Sequence, residues 1–347
     1  MKNKLLLTTA LAGLVAVSGA HAETKVTGNL EQTWKNVSDD ASNGAASTEG
    51  FGTEYNIGLS SSAELDNGMT AKFGMNFEAT TDASNKDVHY LTLGLSDAVS
   101  LSFAQDNGNN LSGSAVPHIS DTASTVVGGG FHNLGLAASD GHNDQHIRID
   151  ANVAGGTFTA RYVPNDGHSN NGASSTAAEA SNSATDFIYK GSLGIDGLGV
   201  LIGQHTADRN SVAGTDLADT KYKVFGASYN FGQFSVGAER AKSEGDVAAS
   251  TARGITATAD GEKDEMESTT VGITFAASDK LSLGLVRTET TFTDNGTEDP
   301  QEEETTMLGV GYSLGGVAID INYAQTENVA FGATDRDTLQ IRTIQKF

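Results

Sequence analysis

The sequence predicts an all-β protein that crosses a membrane as a closed antiparallel barrel of about sixteen strands. Three observations support this prediction. Apolar and polar residues alternate with a period of two in many segments, and short turns alternate with longer polar links along the chain. After residue 22, no apolar run reaches the roughly 18 residues that a membrane helix requires. Because only helices and closed barrels satisfy every backbone group in lipid, strands are the remaining way to cross a bilayer.

The first 22 residues have the pattern of a secretory signal peptide. Lys2 and Lys4 precede an apolar run over 5–17, and Ala20-His21-Ala22 forms a small-x-small cleavage site. A membrane anchor is the alternative, but no stop-transfer segment follows. We therefore predict a signal peptide over 1–22 and one barrel domain over 23–347. Removing two lysines from a chain of net charge −23 gives a mature charge of −25.

Composition excludes several classes of protein. The 347 residues contain no Cys, which excludes disulfide scaffolds, Cys zinc sites and thiol catalysis. There are 44 Asp and Glu residues against 21 Lys and Arg residues, whereas nucleic-acid-binding proteins carry basic patches. Only 37% of the residues are hydrophobic, which is low for a soluble protein of this length with one large core.

The strand prediction rests on two-residue periodicity. Alternation of this kind gives a strand one apolar and one polar face. The clearest segment, 69–78, places Met69, Ala71, Phe73, Met75 and Phe77 on one face, and Thr70, Lys72, Gly74, Asn76 and Glu78 on the other. The same alternation occurs over 146–153, 158–162 and 317–323.

The connections also alternate, between short turns and longer polar links. This arrangement is typical of membrane barrels with an even number of strands and both termini on one side. Short turns rich in Gly, Asn and Asp are predicted at 66–68, 96–98, 154–156, 196–197, 231–232, 278–280 and 315–316. Longer links are predicted at 36–51, 80–86, 106–144, 164–183, 208–217, 243–265, 293–303 and 329–334.

A soluble β-sandwich would alternate as well. A sandwich of this length would divide into two domains, and no linker is visible in the sequence. A membrane barrel directs its apolar face to lipid and its polar face to water, which fits a mean hydropathy of −0.27. The sequence therefore favours the barrel.

Both ends of the chain resemble a known family. The signal over 1–22, the opening strand over 26–30 and the closing strand over 338–347, with Leu339, Ile341 and a terminal Phe347 on one parity, are similar to the general-diffusion porins of the Gram-negative outer membrane. The resemblance implies sixteen strands, a homotrimer and a third long loop that folds inward to narrow the pore. It also implies a lipid bilayer with lipopolysaccharide as surroundings, and a barrel-assembly machinery that reads Phe347 as an assembly signal.

The longest link, 106–144, occupies the position of the inward loop. It contains Asp106, Asp121, Asp140 and Asp144, and no Lys or Arg. A carboxylate beside a narrow water path favours cations, because low-dielectric walls focus its field. We predict Asp106 and Asp121 as acidic residues of the constriction, with 117–121 as the tip of the loop. The alternative is a solvated surface loop.

Polar parity also places basic residues on the lumen wall: Lys72, Arg148, Arg161, Lys190 and Arg342. In proteins of the resembled family such residues face the acids of the inward loop. The alternative is that each arginine pairs with a wall acid such as Asp150 or Asp320 and holds the wall together. Glu54, Glu64 and Glu78 also point inward by parity, so a mild cation preference is predicted.

The function predicted from these features is a water-filled channel for passive diffusion of small hydrophilic solutes and ions. Two alternatives remain: a substrate-selective outer-membrane channel, and a non-conducting exported β-rich adhesion or structural protein. An enzyme is not expected, and neither is a nucleic-acid partner. No cofactor or metal site is assigned, although the acidic runs over 260–265 and 298–304 could bind divalent cations weakly.

Overall fold

A computed structural model describes residues 23–40, 46–80, 84–105, 115–119, 145–164, 183–208, 219–245, 264–293, 301–329 and 334–347. Within these ranges the chain forms sixteen antiparallel strands that close into one barrel. Each strand pairs with its neighbours in sequence, and β1 pairs with β16. The predicted strand number and closed architecture are therefore confirmed. Among the described residues, no helix is long and apolar enough to cross a membrane.

The strand bounds agree with the predicted alternation. The strands are β1 (Glu23–Asp40), β2 (Ala46–Glu64), β3 (Thr70–Thr80), β4 (Ser84–Gly94), β5 (Val99–Gln105), β6 (Gln145–Val153), β7 (Gly156–Val163), β8 (Ala184–Gly191), β9 (Leu198–Ala207), β10 (Thr220–Phe231), β11 (Phe234–Gly245), β12 (Asp264–Ala276), β13 (Leu281–Thr293), β14 (Gln301–Ser313), β15 (Val317–Glu327) and β16 (Asp335–Lys346). One end of the barrel carries the seven short turns and is called the turn end. The opposite end is called the loop end.

The first pair of strands is longer than predicted. The sequence-based link over 36–51 is wrong for most of its length, because β1 continues to Asp40 and β2 starts at Ala46. The register holds across the pair, with Trp34 opposite Phe51 and Val37 opposite Thr48. Ser, Asn and Asp residues suggested a loop here, but cross-strand hydrogen bonds do not require apolar side chains. The predicted signal peptide over 1–22 lies outside the described residues.

The ends of the chain are joined by backbone hydrogen bonds. Gly28 N–H donates to Phe347 O and Phe347 N–H donates to Gly28 O, both at 2.9 Å. The Phe347 ring lies over Gly28, where a Cβ would be 2.3 Å from Cζ of the ring. A side chain at position 28 would therefore displace the terminal ring.

The outward face of the barrel is apolar. Alternate side chains along each strand are exposed large hydrophobics, among them Phe225, Leu285, Leu308 and Ile321. At the turn end, Tyr229, Phe231, Phe234 and Phe275 stack in succession, with centroid separations of 6.4, 5.7 and 4.7 Å. A belt of aromatic rings beside an apolar band is typical of a barrel whose outer surface meets lipid.

Candidate functional site: the barrel lumen

A short segment of the longest loop lies inside the barrel. Residues 115–119, called the inward segment, contact the inward faces of five consecutive strands, β10 to β14. Each of these five strands has at least one glycine where it contacts the segment. The glycines are Gly226, Gly237, Gly272, Gly284, Gly309 and Gly311. We call this row the glycine seat.

The glycines are needed because the segment approaches the wall closely. A Cβ at Gly272 would stand 2.4 Å from Val116 Cγ1 and 2.7 Å from the Pro117 carbonyl oxygen. A Cβ at Gly284 would stand 2.7 Å from Ile119 Cγ1. Glycine within a strand often marks such a close approach of another part of the chain. The row therefore fixes where the segment can lie.

A buried carboxylate fixes the start of the segment. Glu239, on the inward face of β11, is 4% exposed and accepts a hydrogen bond from the Ala115 N–H at 2.8 Å. Lys190 on β8 lies within electrostatic range of Glu239 and of Arg148. Among the described residues, a wall acid thus meets a basic residue of the wall at this point.

The inner wall around the segment contains apolar clusters beside its buried polar groups. This differs from the sequence interpretation, in which inward positions are polar. Val116 packs with Val286, Met307 and Ala324. A second cluster, against which Ala115 packs, consists of Ile188, Leu201, Tyr222, Val224, Ala241, Met266 and Phe292. These inward side chains are buried and form two small apolar clusters on the lumen side of the wall.

The three predicted wall arginines each bind a carboxylate of the wall. Arg148 Nε lies 2.8 Å from Asp150 Oδ2 on the same strand. Arg161 pairs with Asp186, and Arg342 pairs with Glu31. These contacts agree with the alternative interpretation of the sequence, in which each arginine pairs with a wall acid and holds the wall together.

The Asp186 carboxylate is the most enclosed of these groups. It is 0% exposed, and its two oxygens contact Arg161 Nε and His205 Nδ1. Sequence reasoning missed both Asp186 and His205. The alternation in the sequence indicates that both side chains point inward. It does not give the register of β8 against β7, because a long link separates these two strands.

The opposite part of the lumen wall is polar and partly exposed. On β2 and β3, Asn76 Nδ2 donates to Asn56 Oδ1 at 3.0 Å, and Asn56 Nδ2 donates to Glu54 Oε1 at 2.5 Å. Lys72 lies on the same inward face and is exposed. We call the inward faces of β1 to β7 the open side, and those of β8 to β15 the seat side.

Comparison with known proteins identifies the family. The sequence model of the Gram-negative porin family matches residues 8–328 of this chain. The chain belongs to the Gram-negative porin family. No curated protein matches the sequence at a significant level.

Solved structures show the same fold at low identity. An anion-selective porin from Comamonas acidovorans is 14% identical, with 94% of this chain and 100% of that chain covered and a TM-score of 0.68. The trimer form of OmpT, an outer membrane protein of Vibrio cholerae, is 12% identical, with coverages of 94% and 99% and a TM-score of 0.65. OmpF of Salmonella typhi, in complex with daunomycin, is 12% identical, with coverages of 93% and 97% and a TM-score of 0.67. Family and fold together indicate an outer-membrane channel.

The predicted acidic residues of this porin cannot be located. Asp106, Asp121, Asp140 and Asp144 lie outside the described residues. Of the predicted loop tip, Pro117, His118 and Ile119 are described, and they lie against the glycine seat. This described part of the loop therefore lies inside the barrel, and Asp121 follows Ile119 by two positions in the sequence.

One sequence pattern of hydrolases occurs in this porin. Gly311-Tyr312-Ser313-Leu314-Gly315 fits the Gly-x-Ser-x-Gly pattern. In a hydrolase this pattern forms a strained turn from a strand into a helix. Here it forms the end of β14 and the turn into β15, which is a β-hairpin. The pattern therefore lacks the structural context that catalysis needs.

Proposed function

We propose that this porin forms a water-filled channel through which small hydrophilic solutes and ions diffuse passively. The observation that carries the proposal is the placement of the inward segment on the seat side. It leaves the polar open side facing the lumen, where water can hydrogen-bond its asparagine and carboxylate groups. A water path along a polar wall beside a fixed segment suits diffusion without a dedicated binding pocket.

We further propose a mild cation preference. Each of Arg148, Arg161 and Arg342 has a carboxylate partner, which neutralises its charge locally. Glu54 has an asparagine as its hydrogen-bond neighbour, and Glu64 is exposed on the same inward face. Lys72 on that face offsets part of this charge, so the preference should be mild, and the loop over 106–144, which has acids but no Lys or Arg, adds to the negative field that favours cations.

Asp106 and Asp121 are proposed as the acidic part of the constriction. Both belong to the loop that carries the inward segment, and that loop contains no Lys or Arg. Lys72 and Lys190 are proposed as its basic counterpart on the wall. The porin of Comamonas acidovorans is named anion-selective, so this fold is compatible with either sign of preference.

A homotrimer in a bilayer containing lipopolysaccharide is proposed as the assembled form. The trimer form of the Vibrio cholerae protein supports the first part by likeness of fold. Phe347 is proposed as the signal for the assembly machinery. Its side chain is 72% exposed while its backbone is fixed to Gly28, so the ring is accessible at the closing seam.

Planar-bilayer recording of the refolded protein tests the channel. We expect stepwise conductance, a reversal potential of cationic sign in a salt gradient, and swelling of liposomes in small sugars. An absence of conductance would favour the adhesion alternative. Saturable uptake of one solute would favour a substrate-selective channel.

The Asp121→Asn variant tests the constriction. It should reduce cation preference, whereas Asp279→Asn, the same charge change in an exposed turn between β12 and β13, should not. Equal ion selectivity of the two variants would show that Asp121 does not lie in the constriction.

A further inference from the structure

A recess opens into the lumen at the turn end of the open side. It has a volume of about 220 Å³ and is lined by inward positions of β3 to β6 and by the turn between β4 and β5. Its inward side chains are polar: Thr70, Lys72, Thr92, Ser100, Asp150 and Asn152. A solute that follows the open side therefore passes this recess at the turn end of the barrel.

A glycine makes room for the recess. Thr70 on β3 lies opposite Gly94 on β4, and Gly94 lies opposite Ser100 on β5. A Cβ at Gly94 would stand 2.3 Å from the Thr70 hydroxyl oxygen. Any side chain at position 94 would therefore displace this hydroxyl, and glycine leaves the floor of the recess open between two hydroxyl groups.

The turn at the rim of the recess is fixed by its own hydrogen bonds. The Ser96 hydroxyl oxygen accepts hydrogen bonds from the Ala98 N–H at 3.3 Å and from the Val99 N–H at 3.2 Å. The Asn152 N–H on β6 donates to the Ala98 carbonyl oxygen at 2.7 Å. These bonds tie the turn to the wall, so the recess is preorganised and binding there requires little ordering of the protein.

Several polar groups of the recess are available to a solute. Within the described ranges, the Lys72 amine and the hydroxyls of Thr70 and Ser100 form no side-chain hydrogen bond or ion pair. The Thr92 hydroxyl shares one hydrogen bond of 2.8 Å with the Ser102 hydroxyl. A hydroxyl both donates and accepts hydrogen bonds, whereas a lysine ammonium group only donates. The recess can therefore complement the hydroxyl groups of a solute, which also do both.

The charges of the recess balance. Arg148 Nε lies 2.8 Å from Asp150 Oδ2 and compensates that carboxylate, and the Thr159 hydroxyl donates to Asp150 Oδ1 at 2.5 Å. Lys72 adds one positive charge, and Asp97 in the turn adds one negative charge. An ion would give up hydration here without meeting a net opposite charge, and an uncharged solute has no such cost. The recess therefore favours an uncharged solute.

We propose that this recess binds a small uncharged sugar weakly, so that the solute pauses there on its way through the lumen. The Thr70 and Ser100 hydroxyls and the Lys72 amine hydrogen-bond the sugar hydroxyls above Gly94. Passage requires that a solute can leave as well as enter, and hydrogen bonds exchanged with water are weak enough for this. The site rests on the proposed channel function and adds the class of solute that the wall recognises.

Binding can be measured without current, by saturation-transfer NMR of glucose with the refolded protein in detergent. The Thr70→Val/Ser100→Ala double variant removes two hydroxyls and no charge, and it should weaken glucose binding by roughly tenfold, since two hydrogen bonds are lost. The matched control is Thr27→Val/Ser60→Ala, which removes two inward hydroxyls of β1 and β2 outside the recess. The Thr27 hydroxyl also lies beside a glycine, 2.8 Å from where a Cβ of Gly58 would stand. Glucose binding should be unchanged in this control.

A charged sugar tests whether the recess prefers an uncharged solute. Glucuronate is glucose whose primary alcohol is oxidised to a carboxylate, and it should bind no more tightly than glucose. Lys72→Gln keeps a hydrogen-bond donor in the recess and should weaken glucose binding less than the double variant does. Tighter binding of glucuronate that is lost in Lys72→Gln would overturn the proposal and make the recess an anion site.

Two other results would overturn the proposal. One is the absence of a glucose signal with the unaltered protein, and the other is equal glucose binding by the double variant and its control. Heat-modified gel mobility reports folding of each variant. Single-channel conductance should be the same in both double variants, because neither changes a charge. An absence of conductance would refute the channel alone, since the glucose measurement requires no current.

Discussion

The seat side and the open side of the lumen are built from the same alternating strands but carry different side chains. On the seat side the inward positions are glycines, apolar residues such as Val224 and Met266, and polar residues such as Glu239, and most of these side chains are buried. On β1 to β3 of the open side they are mostly polar, such as Glu54, Asn56 and Lys72, and they are partly or fully exposed. Parity thus determines whether a side chain points inward, but it does not determine whether water reaches it.

The difference assigns separate tasks to the two sides. The seat side holds the inward segment by close packing, because glycines admit its backbone and neighbouring methyl groups cover it. The open side carries the charges that a passing ion meets. Substitutions on the seat side should therefore change the size of the pore, and substitutions on the open side should change its ionic preference.

The largest effect is expected where the two sides meet, at the pair of Arg161 on β7 and Asp186 on β8. Arg161→Gln leaves a fully buried carboxylate with His205 as its remaining partner. Removing one partner of a buried pair costs about 3–5 kcal/mol of unfolding free energy. Urea unfolding of the refolded protein measures this loss.

Arg148→Gln is the matched control for this loss. Its partner Asp150 is more exposed and also accepts a hydrogen bond from the Thr159 hydroxyl at 2.5 Å, so a smaller loss is expected. Adding Asp186→Asn to Arg161→Gln should restore part of the stability. Equal losses for both arginines would mean that enclosure of Asp186 does not matter.

A smaller effect is expected from filling the glycine seat. Gly272→Val places methyl groups where Val116 and Pro117 lie, and overpacking of this kind costs about 1–3 kcal/mol. We expect the segment to leave the wall, single-channel conductance to change, and larger sugars to enter liposomes. Gly52→Val is the control, because Gly52 lies on the inward face of β2 with nothing within 4 Å of a Cβ.

A disulfide provides an independent readout of the seat. The chain has no Cys, so Val116→Cys with Val286→Cys introduces a unique pair at two side chains that pack together, and it leaves the glycines intact. We expect the pair to oxidise readily and conductance to persist after oxidation, since the conducting state has the segment seated. Failure to oxidise, or closure upon oxidation, would contradict the seated arrangement.

Much of the fold was predictable because a barrel is encoded locally. Alternation over 69–78 and 146–153 gave the strand faces, and turn residues such as Asn67 and Gly68 gave the hairpins, where Gly68 has φ of +79°. The ends of β1 and β2 were missed, because polar residues there still pair through their backbones. Local patterns locate strands better than they locate their ends.

The site was only partly predictable, because it depends on contacts between distant residues. Parity gave the inward orientation of Arg148 and Arg342, and Asp150 could be named from the sequence as a wall acid that an arginine would pair with. The pairing of Arg342 with Glu31 could not, because it depends on the closure of β1 against β16. The glycine seat did leave a signal. Glycines recur at inward positions of five consecutive strands, and each alone looks like an ordinary weak strand residue.

Ionic preference tests the open side. Glu54→Gln should lower the ratio of cation to anion permeability by roughly fivefold, since a unit charge about 8 Å away in water changes the energies of a cation and an anion by about 0.5 kcal/mol each, in opposite directions. Glu289→Gln removes the same charge from an exposed outward position of β13 and should have no effect. Reversal potentials in a salt gradient measure both. If the reversal potential shifts equally in the two variants, the cation preference depends on the net charge of the protein and not on the open side.

The smallest effect concerns the closing seam at the loop end, where Arg336 on β16 donates two hydrogen bonds to Asp39 on β1, at 2.5 and 2.8 Å. These bonds hold the pKa of the Asp39 carboxyl below its ordinary value of about 3.9. The unfolded chain then binds the proton more readily, so the pair stabilises the fold at neutral pH and loses its contribution as the pH falls through the lowered pKa. The pair is partly exposed, so its contribution should stay below about 1 kcal/mol.

The free energies of unfolding of the protein and of its Asp39→Asn variant should differ by a constant amount between about pH 5 and 7. The two values should converge below about pH 4. When Arg336→Gln is already present, adding Asp39→Asn should not change how the free energy of unfolding depends on pH. If the two free energies still converge at low pH in that background, another acid is responsible.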